Sequence, residues 1–185
     1  MRRLGIEPRR YVLFLARLVP EKGVHTLIEG FKRVTGDFSL IIAGESSFTD
    51  DYVSNLRMLS ADDSRIKLVG GLYGYEKAEA LSNAALFVLP STIEGLSLAL
   101  LEAMSYGIYP LTSDIQENAD VVLPVGGTTF RVGNADDLGA KLQSLLTNPG
   151  KLVQHENALR DHVAATYSWA SIATQTEQVY SRCLG

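Results

Sequence analysis

Short apolar runs return along this chain at intervals of roughly two dozen residues, about what a strand, a turn and a crossover helix occupy before the chain comes back parallel. The runs fall at 11–15, 38–43, 66–69, 86–89, 109–112 and 129–132. Helical patterns lie between them, clearest where Val24, Leu27, Ile28 and Phe31 are spaced i, i+3, i+4 and i+7. Leu40-Ile41-Ile42-Ala43 and Leu86-Phe87-Val88-Leu89 are apolar at every position, so both faces of their sheet must be covered. The expected fold class is α/β: a doubly wound, Rossmann-like parallel sheet of about six strands with helices on both faces. After residue 134 the alternation stops, and 135–146, 151–165 and 168–183 are expected as three successive helices, a helical C-terminal tail.

A length of 185 residues, 46% hydrophobic, suffices for one full core, so 1–185 is expected to be a single domain. The net charge of -4 gives no general attraction to nucleic acid, which is excluded as a partner; a phosphate ligand must be held by local cations and amides. Cys183 is the only cysteine, ruling out an internal disulfide and fitting a reducing, cytoplasmic setting. The opening Met1-Arg2-Arg3-Leu4-Gly5-Ile6 lacks an apolar export region, and no stretch approaches the about 20 apolar residues of a spanning helix. No membrane-spanning segment is expected, while a membrane-peripheral role through a partner domain stays open. His25, His155 and His162 share no ligand spacing, so no metal and no cofactor are expected. No Gly-x-Gly-x-x-Gly follows the first run, and neither a Gly-Lys-Ser/Thr triplet nor a Gly-x-Ser-x-Gly elbow occurs, against dinucleotide, P-loop and hydrolase readings.

Ligands of open α/β sheets sit outside the carboxyl ends of the strands, and the turns there carry this chain's unusual residues. Arg17 and Lys22 flank Val19-Pro20-Glu21 before Gly23, so two cations are expected to point toward one spot, suited to a diphosphate. As single residues, both are equally read as solvated surface cations. Glu94 precedes Gly95-Leu96-Ser97, whose amides at a helix N-terminus suit an anion, although the same tripeptide also simply starts a helix. Glu102 lies in a stretch, 96–104, that is apolar on nearly every side and therefore expected to be buried. A carboxylate there needs partners. Local pairing and acceptance of two ribose hydroxyls are both consistent with it.

Together, Ala16-Arg17-Leu18-Val19-Pro20-Glu21-Lys22-Gly23 and Leu89-Pro90-Ser91-Thr92-Ile93-Glu94-Gly95-Leu96-Ser97-Leu98-Ala99-Leu100-Leu101-Glu102-Ala103-Met104 resemble the C-terminal, donor-binding domain of family 4 (group 1) retaining glycosyltransferases of GT-B fold. The second stretch carries that family's Glu-x7-Glu motif, and Tyr167-Ser168-Trp169 resembles its lead into the last helix. The resemblance implies catalytic roles for Arg17, Lys22 and Glu94, the two cations gripping the diphosphate of a nucleotide sugar such as a UDP-sugar. It implies that Glu102 holds the ribose, and that Glu94, Gly95, Leu96 and Ser97 meet the transferred sugar. It places Gly44 at a close approach to the donor and Gly70, Gly71, Leu72 and Tyr73 along the base. No metal or cofactor is implied beyond the donor.

The same resemblance implies transfer of the glycosyl group to an acceptor hydroxyl with retention. It also implies that the N-terminal acceptor domain lies outside this chain, which alone should bind donor weakly and transfer little. Ile172, Val179 and Tyr180 of the last helix then form an apolar face suited to that domain or to self-association. Two features depart from the family: Asp114-Ile115-Gln116-Glu117 replaces a Gly-rich turn, and Tyr109 replaces a small aliphatic residue. Two rivals remain, a sugar-nucleotide epimerase of the same fold and a noncatalytic nucleotide-binding module. The first lacks a candidate acid or base beside Glu94, and the second lacks an acidic cluster at Ala16-Arg17.

Overall fold

A computed structural model of the chain describes residues 6–184; the basic opening, 1–5, lies outside the described residues. Six parallel strands, β1 (Tyr11–Leu15), β2 (Ser39–Ala43), β3 (Ile66–Gly70), β4 (Leu86–Leu89), β5 (Tyr109–Ser113) and β6 (Thr128–Phe130), form one sheet in the order β3-β2-β1-β4-β5-β6. All five pairings are parallel, which requires a crossover between each strand and the next. The crossovers contain α1 (Val24–Phe31), α2 (Asp50–Ser60), α3 (Gly74–Asn83), α4 (Leu98–Ser105) and α5 (Gln116–Val122). The tail consists of α6 (Ala135–Leu146), α7 (Pro149–Gln154), α8 (Glu156–Thr166) and α9 (Trp169–Leu184).

Alternate residues of each strand feed two separate cores, as the twofold period of a strand requires. Val12, Phe14, Leu40, Ile42, Leu86 and Val88 pack under α1, α2 and α6, against Leu27, Phe31, Leu56, Leu138 and Leu142. Leu13, Ile41, Phe87 and Leu89 face the other way, against Leu81 of α3, Leu100 and Met104 of α4 and Leu159 of α8. Tyr11 is fully buried, and its hydroxyl donates to the Ala80 carbonyl at 2.6 Å, which joins the first strand to α3. Burial pushes this phenol far above its ordinary range.

The tail differs from expectation in one respect. The segment 151–165 forms two helices, α7 and α8, with the break at His155. Tertiary contact overrides the local pattern there. The His155 ring stacks edge-on to Tyr109 at 5.3 Å, and its Nδ1 lies 2.8 Å from the Lys151 carbonyl oxygen at the end of α7. Tyr109 donates its hydroxyl to the Gly126 carbonyl at 2.6 Å and thereby pins the turn before β6.

The chain runs outward from β1 through β2 to β3, then returns to place β4 on the other side of β1. That reversal makes the carboxyl ends of β1 and β4 the topological switch point, beside which ligands of open α/β sheets are held. Among the described residues no helix is long and apolar enough to cross a membrane.

Candidate functional site

The loops that leave β1 and β4 are fitted to one another at close range. Pro20–Lys22 form a single 3-10 turn closed by Gly23, whose φ of 66° lies in the left-handed region. A Cβ on Gly23 would stand 2.1 Å from the Pro90 carbonyl oxygen, so glycine is required both by its dihedral and by the approach of the β4 loop. The Thr92 amide donates to the Glu21 carbonyl at 2.8 Å, and the Ser113 hydroxyl of β5 donates to the Ser91 carbonyl at 2.5 Å.

Within this frame Lys22 and Glu94 form an ion pair, Nζ to Oε1 at 2.6 Å, and the fully buried Ser91 donates its hydroxyl to the same oxygen at 2.7 Å. The side chains are only 15% and 7% exposed. The two cations of the first loop therefore do not share one task in this structure: Arg17 is exposed and forms no ion pair among the described residues, while Lys22 is committed to Glu94. The cause is electrostatic, since a carboxylate so nearly buried as Glu94 needs a counter-charge, and Lys22 is the cation that reaches it.

Helix α4 begins at Leu98, with the Ser97 hydroxyl oxygen capping it by accepting from the Leu100 amide at 3.4 Å. Gly95, Leu96 and Ser97 thus precede the helix, and among the described residues none of the amides from Gly95 to Ala99 donates to a protein acceptor. These donors are available to an anion.

Glu102 departs from expectation. It is not buried: the side chain is 34% exposed and pairs with Lys77 of α3, Nζ to Oε2 at 2.5 Å. The apolar sequence around it had suggested a fully covered helix, but α4 lies at the rim. Leu98, one turn before Glu102, is 71% exposed, whereas Leu100, Leu101, Ala103 and Met104 turn into the core. Apolar composition therefore overstated the helix's burial on this face.

On the other side of β1, Gly44 follows β2. A Cβ there would lie 1.9 Å from the Ala16 carbonyl oxygen, so the closeness of the β1 and β2 ends, within the protein itself, already demands glycine. The Gly44 amide donates to the Gly70 carbonyl at 2.9 Å. Gly70 has a φ of 76° that turns the chain at the end of β3, and a Cβ on Gly71 would lie 2.6 Å from Oε1 of the exposed Glu45, whose side chain would have to shift. The Tyr73 hydroxyl donates to Glu45 Oε2 at 3.2 Å; this bond to the carboxylate raises the phenol above its ordinary range.

A cavity of about 370 Å³ opens between these loops, and Arg17, Gly44, Gly71, Leu72, Tyr73 and Lys77 line it. A neighbouring cavity of about 410 Å³, beneath α2, takes Gly44 and Gly70. Arg17 is thus brought together with the segment after β3, and Lys77 joins that cavity to Glu102. Lys22, Glu94 and Gly95 to Ser97 form a second cluster over β4 and line neither cavity. Sequence reasoning missed Glu45, Lys77 and Ser91. Ser91 lay in plain sight within Leu-Pro-Ser, whereas Gly74-Tyr75-Glu76-Lys77 has the look of an ordinary solvated helix start and carried no signal.

Residues 1–162 match the family described as Glycosyl transferases group 1. The chain belongs to that family. It is similar to glycogen synthase of Mycobacterium tuberculosis (strain ATCC 25618 / H37Rv), 31% identical over 176 residues that make up 91% of this chain and 42% of that protein. It is similar also to the alpha-maltose-1-phosphate synthase of the same strain, 27% identical over 195 residues, 97% of this chain and 50% of the relative. The chain spans about half the length of the curated relatives it matches. Among solved structures, HepE of Anabaena in complex with UDP and glucose superposes with a TM-score of 0.89 at 20% identity, over 98% of this chain and 50% of that one. Sucrose-phosphate synthase from Thermosynechococcus elongatus gives 0.85 at 25% identity, over 99% and 48%. The group 1 chain thus has the Rossmann-like fold seen in these structures, and its family is one of transferases.

Proposed function

We propose that the chain is the donor-binding, C-terminal half of a retaining family 4 glycosyltransferase of GT-B fold, and that it holds a nucleotide-diphosphate sugar at the rim of β1 and β4. The observation that carries this reading is the convergence of an uncommitted Arg17, the segment after β3 and Lys77 around one cavity, with Glu102 reached from it through its ion pair with Lys77. The single domain spans 1–185, and the acceptor pocket belongs to a separate N-terminal domain. Ile172, Val179 and Tyr180, 37%, 55% and 66% exposed on α9, face that domain or a second copy. The setting is cytoplasmic, with a membrane-peripheral role through the partner domain open to the full-length enzyme.

The donor's diphosphate lies on Arg17, its ribose hydroxyls on Glu102 and its base along Gly70 to Tyr73. The transferred sugar sits beside Glu94 and the free amides of Gly95 to Ser97. Hydroxyls of that sugar take over part of Glu94, releasing the Lys22 ammonium toward the phosphates. In the reaction the bond from the anomeric carbon to the phosphate oxygen breaks, and its electron pair stays on the diphosphate. The acceptor hydroxyl attacks that carbon on the same face, and its proton passes to the departing phosphate oxygen. Arg17, Lys22 and the amides meet the growing negative charge, each preorganised donor being worth about 3 kcal/mol in the transition state. Side chains supply this stabilisation, so transfer needs neither metal nor cofactor, and a chelator leaves the rate unchanged.

The similarity to a structure holding UDP and glucose makes UDP-glucose the first donor to test. A calorimetric panel of UDP, GDP and ADP sugars against the wild-type, Arg17→Ala and Glu102→Gln chains decides the reading. Nucleoside diphosphates are expected to bind more tightly than monophosphates, and Arg17→Ala to remove that preference. An equal response of all three proteins to every ligand overturns it.

A further inference from the structure

Lys77 and Glu102 come from different crossovers. Lys77 stands in the first turn of α3, where its amide donates to the Tyr73 carbonyl at 3.3 Å, and Glu102 stands in the third quarter of α4. Their side chains meet at 2.5 Å while both keep about a third of their surface open, 30% and 34%. Ion pairs so exposed contribute little to stability. Their geometric effect is larger: the ammonium holds Oε2, and among the described residues no group occupies Oε1. A carboxylate fixed through one oxygen presents the other in a set direction and loses less rotamer freedom on accepting a ligand hydrogen bond. Lys77 also lines the cavity that Arg17, Leu72 and Tyr73 enclose.

Resting on the reading of Glu102 as the ribose acceptor, we propose that Lys77 is a positioning residue: it aims the Glu102 carboxylate at the ribose hydroxyls and so makes the site select ribonucleoside over 2′-deoxyribonucleoside diphosphates. Because Lys77 sits one turn beyond the segment assigned to the base, seating the base and orienting the ribose acceptor are mechanically linked. A carboxylate aimed in this way distinguishes a ligand with the 2′-hydroxyl from one without it, since loss of the hydroxyl leaves a charged acceptor unpaired.

Titration calorimetry of the 185-residue chain with UDP, GDP and ADP and their 2′-deoxy counterparts tests this, using the wild type, Lys77→Met, Lys77→Arg and Glu102→Gln. For whichever base binds best, the wild type is expected to favour the ribonucleotide by about tenfold, the usual weight of one charge-assisted hydrogen bond. Lys77→Met is expected to shrink the ratio to within about threefold without moving the melting temperature, and Lys77→Arg to restore it. A full ratio in Lys77→Met, together with a lost ratio in Glu102→Gln, overturns the role of Lys77 and leaves the ribose reading standing. A wild-type ratio near one, or a ratio that survives Glu102→Gln, overturns the ribose reading itself and the inference with it. Absence of nucleotide binding by the wild type overturns the donor site.

Discussion

At the carboxyl ends of β1 and β4 the two loops interlock, whereas beyond the ends of β2 and β3, which are joined through the backbone at Gly44 and Gly70, cavities remain. The first region is closed by Gly23 against Pro90, by the Thr92 amide on Glu21, and by Lys22 and Ser91 on a single oxygen of Glu94. The second offers the cavities of about 370 and 410 Å³, bordered by an exposed Tyr73 and Glu45 joined at 3.2 Å. Preorganised electrostatics requires groups that do not move when charge develops, and recognition of a whole nucleotide requires room. Under the proposed function the same rim would divide the work: rigid near the bond to be broken, open where the ligand is read.

Alanine at Gly23 should break this contrast most severely. A side chain there meets Pro90 at 2.1 Å on a backbone with φ of 66°, and the combined overpacking and left-handed strain cost about 3 kcal/mol in urea unfolding. Gly95→Ala is its counterpart: nothing lies within 4 Å of the added atom, and stability should stay within about 0.5 kcal/mol. Equal losses would remove the distinction between locked and open segments.

Lys22→Met ranks next. It strands Glu94, 7% exposed, with only the Ser91 hydroxyl, and is expected to cost about 2 kcal/mol at neutral pH. Adding Glu94→Gln should recover most of that loss in a double-mutant cycle; a purely additive cycle contradicts the pairing. Remote from both regions, Asp63 before β3 accepts bonds from Arg65 that hold its carboxyl below the ordinary range. Its folded value is the lower one, so its stabilisation is present above the ordinary carboxylate range and lost as pH falls through the folded value. Asp63→Asn should therefore cost about 1 kcal/mol at pH 7, flatten the acid limb of stability and leave nucleotide binding intact. The smallest effect belongs to Tyr73→Phe, whose exposed bond to Glu45 should leave the unfolding midpoint unmoved, and which sharpens the contrast if affinity changes while unfolding does not.

Five of the six strands were legible to within a residue because each centres on a mainly apolar run, most completely so in β1, β2 and β4. The break at His155 was not, since it follows from the contact of that ring with Tyr109 and not from local preference. The placement of the candidate residues after the strands was legible, and their pairings were not. Arg17, Lys22, Glu94 and Glu102 stand at the rim, but spacing along the chain could not tell that Lys22 would turn to Glu94 or that Glu102 would find Lys77. Those choices depend on which cation reaches which carboxylate in space. The exposure of Glu102 was missed for a related reason: composition cannot tell which face of a short apolar helix looks outward at a sheet rim.

The most direct measurement is a crystal structure of this chain with a bound nucleoside diphosphate. The ribose hydroxyls should lie within hydrogen-bonding distance of Glu102 and the phosphates on Arg17, in the cavity bordered by Lys77 and Tyr73. A nucleotide seated instead in the cavity beneath α2, or anywhere that leaves Arg17 and Glu102 untouched, contradicts the account.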